Sequence, residues 1–105
     1  NNLTDAPAWA IDFMKSVPTS WDEVRYIDGY PGKYIIMARR SGDKWYIAGV
    51  NAMEQPLKQN VALPMLEAKS MVTLYQNGEV KEVKVSKKQT VSIEIPTHGG
   101  VVIVQ

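Results

Sequence analysis

Apolar positions along this chain fall into two regimes. Over residues 1–17, Trp9, Phe13 and Val17 recur every four residues, with Ala10 and Met14 widening the stripe. That spacing predicts a short amphipathic helix, with Thr4 or Asp5 as cap and Pro7 in the first turn. Pro18 ends it, because the residue before a proline is pushed out of the helical region. From Trp21 onward the period shortens to two, and short apolar runs are separated by turn residues. Gly29-Tyr30-Pro31-Gly32 divides a first strand, starting at Trp21, from a second, and Ser41-Gly42-Asp43 joins the second to the third as a hairpin. A fourth strand is predicted over Leu57 to Pro64, a fifth over Lys69 to Gln76 and a sixth over Val80 to Val85. Asn77-Gly78 between the fifth and sixth is the strongest hairpin signal, since both residues accept positive φ. Val91, Ile93 and Ile95 alternate with Thr90, Ser92 and Glu94 in a seventh strand, and Gly99-Gly100 opens an eighth over Val101 to Val104.

Eight short strands with frequent turns predict an all-β fold, an antiparallel two-sheet sandwich preceded by the short helix. One feature departs from an ordinary sandwich. The second, third and eighth strands are apolar on both faces: Tyr34, Ile36 and Ala38 against Ile35 and Met37, and Val101 and Ile103 against Val102 and Val104. A sandwich strand normally turns one face to water. Something must therefore cover the outer side, and the N-terminal helix together with a partner domain is the expected cover. Residues 1–18 read as a helical linker segment and 19–105 as one domain.

Composition narrows the function classes. The chain has 105 residues, 45% of them hydrophobic, which suits one folded domain with little room for a separate catalytic cleft. Twelve basic and eleven acidic residues leave a net charge of +1, so nothing steers it toward nucleic acid or an anionic membrane. Cysteine is absent, which removes disulfides, thiolate metal sites and thiol nucleophiles. No 18-residue apolar run is present to span a bilayer.

Candidate chemistry is sparse. Asp22-Glu23 are adjacent on a strand and point to opposite faces, so they cannot flank one glycosidic bond. His98 is the only histidine and lies in a Thr-His-Gly-Gly turn, which leaves neither a metal cluster nor a triad to build on. Gly99-Gly100 precedes a strand, not the helix a phosphate loop requires. Lys81, Lys84, Lys87 and Lys88 are interrupted by Glu79 and Glu82 and read as a solvated hairpin. No catalytic, cofactor-binding or metal-binding residue is assigned. The aromatic residues remain: Tyr34, Trp45 and Tyr46 are the candidates for stacking on sugar, while Trp9, Phe13, Met14 and Trp21 are candidates for interdomain packing.

Particular runs carry a resemblance. These are Pro18-Thr19-Ser20-Trp21-Asp22-Glu23-Val24-Arg25, Gly32-Lys33-Tyr34 running to Ala38-Arg39-Arg40, and Lys44-Trp45-Tyr46 closing on Asn51. Leu63-Pro64-Met65-Leu66, Leu74-Tyr75 before Asn77-Gly78, and Gly99-Gly100-Val101-Val102-Ile103 follow in order. From about Phe13 to Gln105 the chain resembles the C-terminal domain of glycoside hydrolase family 97. The resemblance implies a non-catalytic β-sandwich that packs on the (β/α)8 barrel of the same polypeptide and aids oligomerisation. It implies that the catalytic carboxylates and the calcium ligands lie on that barrel, outside this chain, and that the parent α-glycosidase is periplasmic or secreted. A carbohydrate-binding module holding oligosaccharide near the barrel is the alternative, and a free-standing interaction module a weaker third.

Overall fold

The computed structural model describes residues 17–105. Eight strands follow one another: β1 (Glu23–Tyr30), β2 (Tyr34–Ser41), β3 (Lys44–Asn51), β4 (Leu57–Ala62), β5 (Met71–Gln76), β6 (Glu79–Lys84), β7 (Thr90–Ile95) and β8 (Gly100–Val104). They form two sheets, one of six strands in the order β1-β2-β3-β8-β5-β6 and one of β4 and β7 alone. Every ladder is antiparallel. The all-β sandwich expected from the alternation is what the chain adopts, and the described residues contain no helix. The helix expected before Pro18 lies outside the described residues, as do Trp9, Phe13 and Met14.

Strand ends shift by one or two residues from the sequence reading, for local reasons. The fifth strand begins at Met71 because Lys69 adopts φ 66°, a left-handed conformation no strand residue holds. The sixth begins at Glu79 because the two-residue turn at Asn77 (φ 52°) and Gly78 (φ 76°) lets Glu79 pair at once with Gln76.

The core lies between the sheets. Ile36 and Ala38 of β2, Ile47 of β3, Val72 and Leu74 of β5, and Val101 and Ile103 of β8 face Val61, Val91, Ile93 and Ile95 of the small sheet. Leu63 and Leu66, in the β4–β5 connection, close one end. Gly49 makes this packing possible: a Cβ there would stand 2.9 Å from Ile95 Cδ1 and 3.1 Å from Val101 Cγ1. The side chain of Ile95 occupies the space that any larger residue at 49 would need.

The topology explains why β8 is apolar on both faces. It is inserted between β3 and β5 in the middle of the large sheet, although it is last in sequence. Its inner residues meet the small sheet, and its outer residues Val102 and Val104 belong to a second apolar surface.

Candidate functional site

The two sheets present opposite kinds of outer surface. On the small sheet, the positions facing away from the core are Lys58, Asn60 and Ala62 of β4 with Thr90, Ser92 and Glu94 of β7, an ordinary wet face. On the large sheet the ladder registers place Tyr26, Met37, Ala48, Val102, Tyr75 and Val80 in one row. Each of the six strands contributes one of these residues, and none is charged. Beside the row, Ile35 pairs with Val50. Tyr26 is 61% exposed, Val50 54% and Val80 52%.

A groove of about 370 Å³ runs along this face, lined by Val17, Trp21, Ile35, Met37, Tyr46, Val50 and Val102 among others. Trp21 forms one wall by meeting Tyr46 edge to face at 5.3 Å, with the Arg39 guanidinium 5.9 Å from its own ring. A neighbouring pocket of about 350 Å³ shares Ile35 and Val50 and adds Tyr26, Tyr30, Pro31 and Tyr34 at the β1–β2 turn. The two hollows and the row form one apolar surface.

Its rim is braced by a polar cluster at the end of β1. A bulge between Tyr26 and Asp28 turns the strand, and Gly29 follows with φ 139°. A Cβ on Gly29 would stand 2.2 Å from the Tyr34 carbonyl oxygen, so only glycine fits. Tyr26 Oη donates to the Gly29 carbonyl at 2.6 Å. The Asp28 carboxylate accepts from the Gly29 amide at 2.8 Å, from Tyr34 Oη at 3.0 Å and from the Gln59 side-chain amide. Gln59 comes from β4, so this contact ties the two sheets together. Burial alone would push the Asp28 carboxyl up, but the hydrogen bonds from Gln59, Tyr34 and Gly29 outweigh it and hold it below the usual aspartate range. The same burial, and then the neighbouring Asp28 carboxylate, raises the Tyr34 phenol.

The acidic residues singled out in the sequence serve as structural ties. Asp22 accepts from the Gly42 amide at 2.7 Å, and Arg40 bridges to Glu23 at 3.3 Å. The hydrogen bond from Arg25, and then that from Arg40, outweigh burial and lower the Glu23 carboxyl. His98 sits exposed in its turn at φ 55°, its Nε2 2.8 Å from Glu54. Among the described residues, no group of three or more His, Cys, Asp or Glu side chains is placed to hold a metal ion.

The three candidate sugar-stacking rings do not come together. Trp45 is 7% exposed within the core, with the Arg25 guanidinium 4.8 Å from its ring. Tyr46 lies on the outer face against Trp21, and half-buried Tyr34 is held by Asp28. Of the four packing candidates, Trp21 lies at the groove; Trp9, Phe13 and Met14 fall outside the described residues. Sequence reasoning missed Tyr26, Val50 and Val80 as members of one surface. The signal was present in the two-faced strands, but the row emerges only once β8 is known to sit between β3 and β5.

Comparison with known proteins gives this surface a context. The family described as "Glycosyl-hydrolase 97 C-terminal, oligomerisation" matches residues 20–105. A probable retaining α-galactosidase of Streptomyces bingchenggensis is 30% identical over 102 residues, 91% of this chain and 16% of that protein. A retaining α-galactosidase of Bacteroides thetaiotaomicron is 50% identical over 38 residues, 36% of the chain and 6% of that protein. Among solved structures, a β-arabinopyranosidase superposes with a TM-score of 0.87 at 48% identity, over 100% of this chain and 17% of its own. A family 97 enzyme from Pseudoalteromonas sp. strain K8, in complex with panose, shares the fold at TM-score 0.74 and 24% identity, over 90% of this chain and 17% of its own. The chain spans about a sixth of the length of these structural neighbours. A sandwich whose large sheet is apolar on both sides is thus placed by its sequence: it belongs to the C-terminal domain family of glycoside hydrolase family 97.

Proposed function

We propose that this chain is a non-catalytic packing domain of a family 97 glycosidase, and that the outer face of its six-stranded sheet docks on the enzyme's catalytic barrel. The observation that carries the proposal is the uncharged row from Tyr26 to Val80, beside a small sheet whose own outer face is polar. A contiguous exposed apolar surface rimmed by polar residues is the kind of patch that marks an interface. Val17, the first described residue, is among those that line the groove. In this reading the barrel holds the catalytic carboxylates and calcium, and the polypeptide is exported and assembles as a homo-oligomer. The relatives described as an α-galactosidase and a β-arabinopyranosidase support a galacto-configured substrate for the parent enzyme, since those two glycosides share a ring configuration.

A sugar-holding role finds less support, because the exposed rings Tyr26 and Tyr30 flank a turn pocket with few polar groups to orient a hydroxyl-rich ligand. The test is Ile35→Glu and Val50→Glu, each made alone because the two positions oppose each other across the β2–β3 ladder. Both side chains are exposed in the isolated chain, so its melting temperature should shift little. In the full polypeptide the same substitutions bury unpaired charge against the barrel, and should cost at least about 3 kcal/mol of stability. Equal effects in the two settings would contradict docking through this face.

A further inference from the structure

The large sheet has two edges, and they are unlike. β1 is bulged between Tyr26 and Asp28 and carries the Arg25–Glu23 ion pair at 2.5 Å, so it offers no regular ladder. β6 pairs with β5 without a bulge, is exposed along nearly its whole length, and reads Glu-Val-Lys-Glu-Val-Lys. The two-residue turn makes Gln76–Glu79 the closing hydrogen-bonded pair. Alternation along the ladder then points the N–H and C=O groups of Val80, Glu82 and Lys84 away from β5.

We propose that β6 pairs edge to edge with β6 of a second copy of this chain, antiparallel, about a two-fold axis at Val83. This rests on the oligomerisation reading above and names its surface. A two-fold axis perpendicular to the sheet keeps side chains on their own face, so each opposed pair must share parity. Six registers then centre on a residue of the strand, and those on Glu79 and Lys84 set that residue against its own like charge. Centring on Lys81 sets Lys81 against its own copy, and centring on Glu82 does the same with glutamates. Like charges directly opposite are destabilising. Centring on Val80 leaves Glu82 opposite Gly78 of the partner's turn. Centring on Val83 sets Val83 against Val83 and each Glu82 against the other copy's Lys84.

That register uses the outward main-chain groups of both Glu82 and Lys84, giving four hydrogen bonds across the axis. Val83 already packs half-buried on the core, so its symmetric contact extends the core across the axis. Thr73 Oγ1 donates to Glu82 Oε2 at 2.8 Å and holds that carboxylate on the outer face, where the opposing Lys84 would lie. Charges on an edge strand ordinarily keep other strands away. Here the same charges admit one partner in one register. The axis also keeps both outer apolar faces on one side of the joined sheet, so docked barrels would sit side by side.

The experiment is sedimentation equilibrium of the chain, with charge exchange and a single cysteine. Glu82→Lys and Lys84→Glu, each alone, should weaken self-association by about tenfold or more. The double exchange should restore it, which a merely structural role for either residue would not do. Because the chain has no cysteine, Val83→Cys introduces the only thiol, and mild oxidation should yield a covalent dimer; Val80→Cys should not. Self-association unchanged by either single exchange but lost in Ile35→Glu or in Val50→Glu overturns pairing through β6 and leaves the family reading intact. A chain that stays monomeric at all concentrations, or that crosslinks through Val80→Cys, also overturns it, and outer-face docking remains separately testable.

Discussion

Asp28 is the residue on which the geometry of the rim depends most. It gathers an amide from β4, a phenol from β2 and the amide of the strained Gly29, so one carboxylate fixes the bulge, the turn and the distance between the sheets. Those donors favour the ionised form, and the folded chain therefore holds the carboxyl below the ordinary value of about 3.9. The sign follows directly. Stability from this group is fully present above the unfolded value and is lost as pH falls through the lower folded one. Thermal melts between pH 6 and pH 2 should show the native chain losing stability on acidification more steeply than Asp28→Asn, with the gap between them closing at the acid end. Parallel curves would mean that the carboxylate contributes nothing beyond its shape. None of this was visible in the sequence. Gln59 faces inward on a strand whose other inward residues, Leu57 and Val61, are apolar.

At the scale of elements, alternation located all eight strands because turn chemistry separated them so sharply. Asn77-Gly78 closes its hairpin as expected, with both residues at positive φ. What the pattern could not supply was the order of strands, since pairing between β3 and β8 is a long-range choice that no local residue announces. Asn51 shows how that choice is held. Its side chain is 0% exposed, its Nδ2 donates to the Gln55 carbonyl at 2.8 Å and to the Ile95 carbonyl at 3.2 Å, and its Oδ1 accepts from the Met53 amide at 2.9 Å. It thereby joins the loop after β3 to the end of β7, immediately before β8 enters the sheet. Asn51→Ala leaves those buried partners unmatched and should cost about 2–4 kcal/mol by urea denaturation. A loss below about 0.5 kcal/mol, the range of ordinary surface changes, would show that the loops are held by other contacts.

For the whole molecule, the two sheets divide the work of a domain that serves a larger protein. The small sheet gives the chain a core and a wet exterior; the large one gives it a core on one side and an apolar surface on the other. The two-faced strands in the sequence already implied a cover, which in the proposed reading is the barrel of the parent enzyme. The most direct measurement is thiol reactivity of Val50→Cys, read by peptide mass spectrometry in the isolated chain and in the full polypeptide of the same reading frame. Lys58→Cys, on the polar outer face of the small sheet, serves as the control. Docking through the large sheet predicts that Cys at position 50 reacts at least about tenfold more slowly in the full polypeptide, a protection of about 1.4 kcal/mol, while the control reacts equally in both. Equal reactivity at position 50 in the two settings would contradict the account.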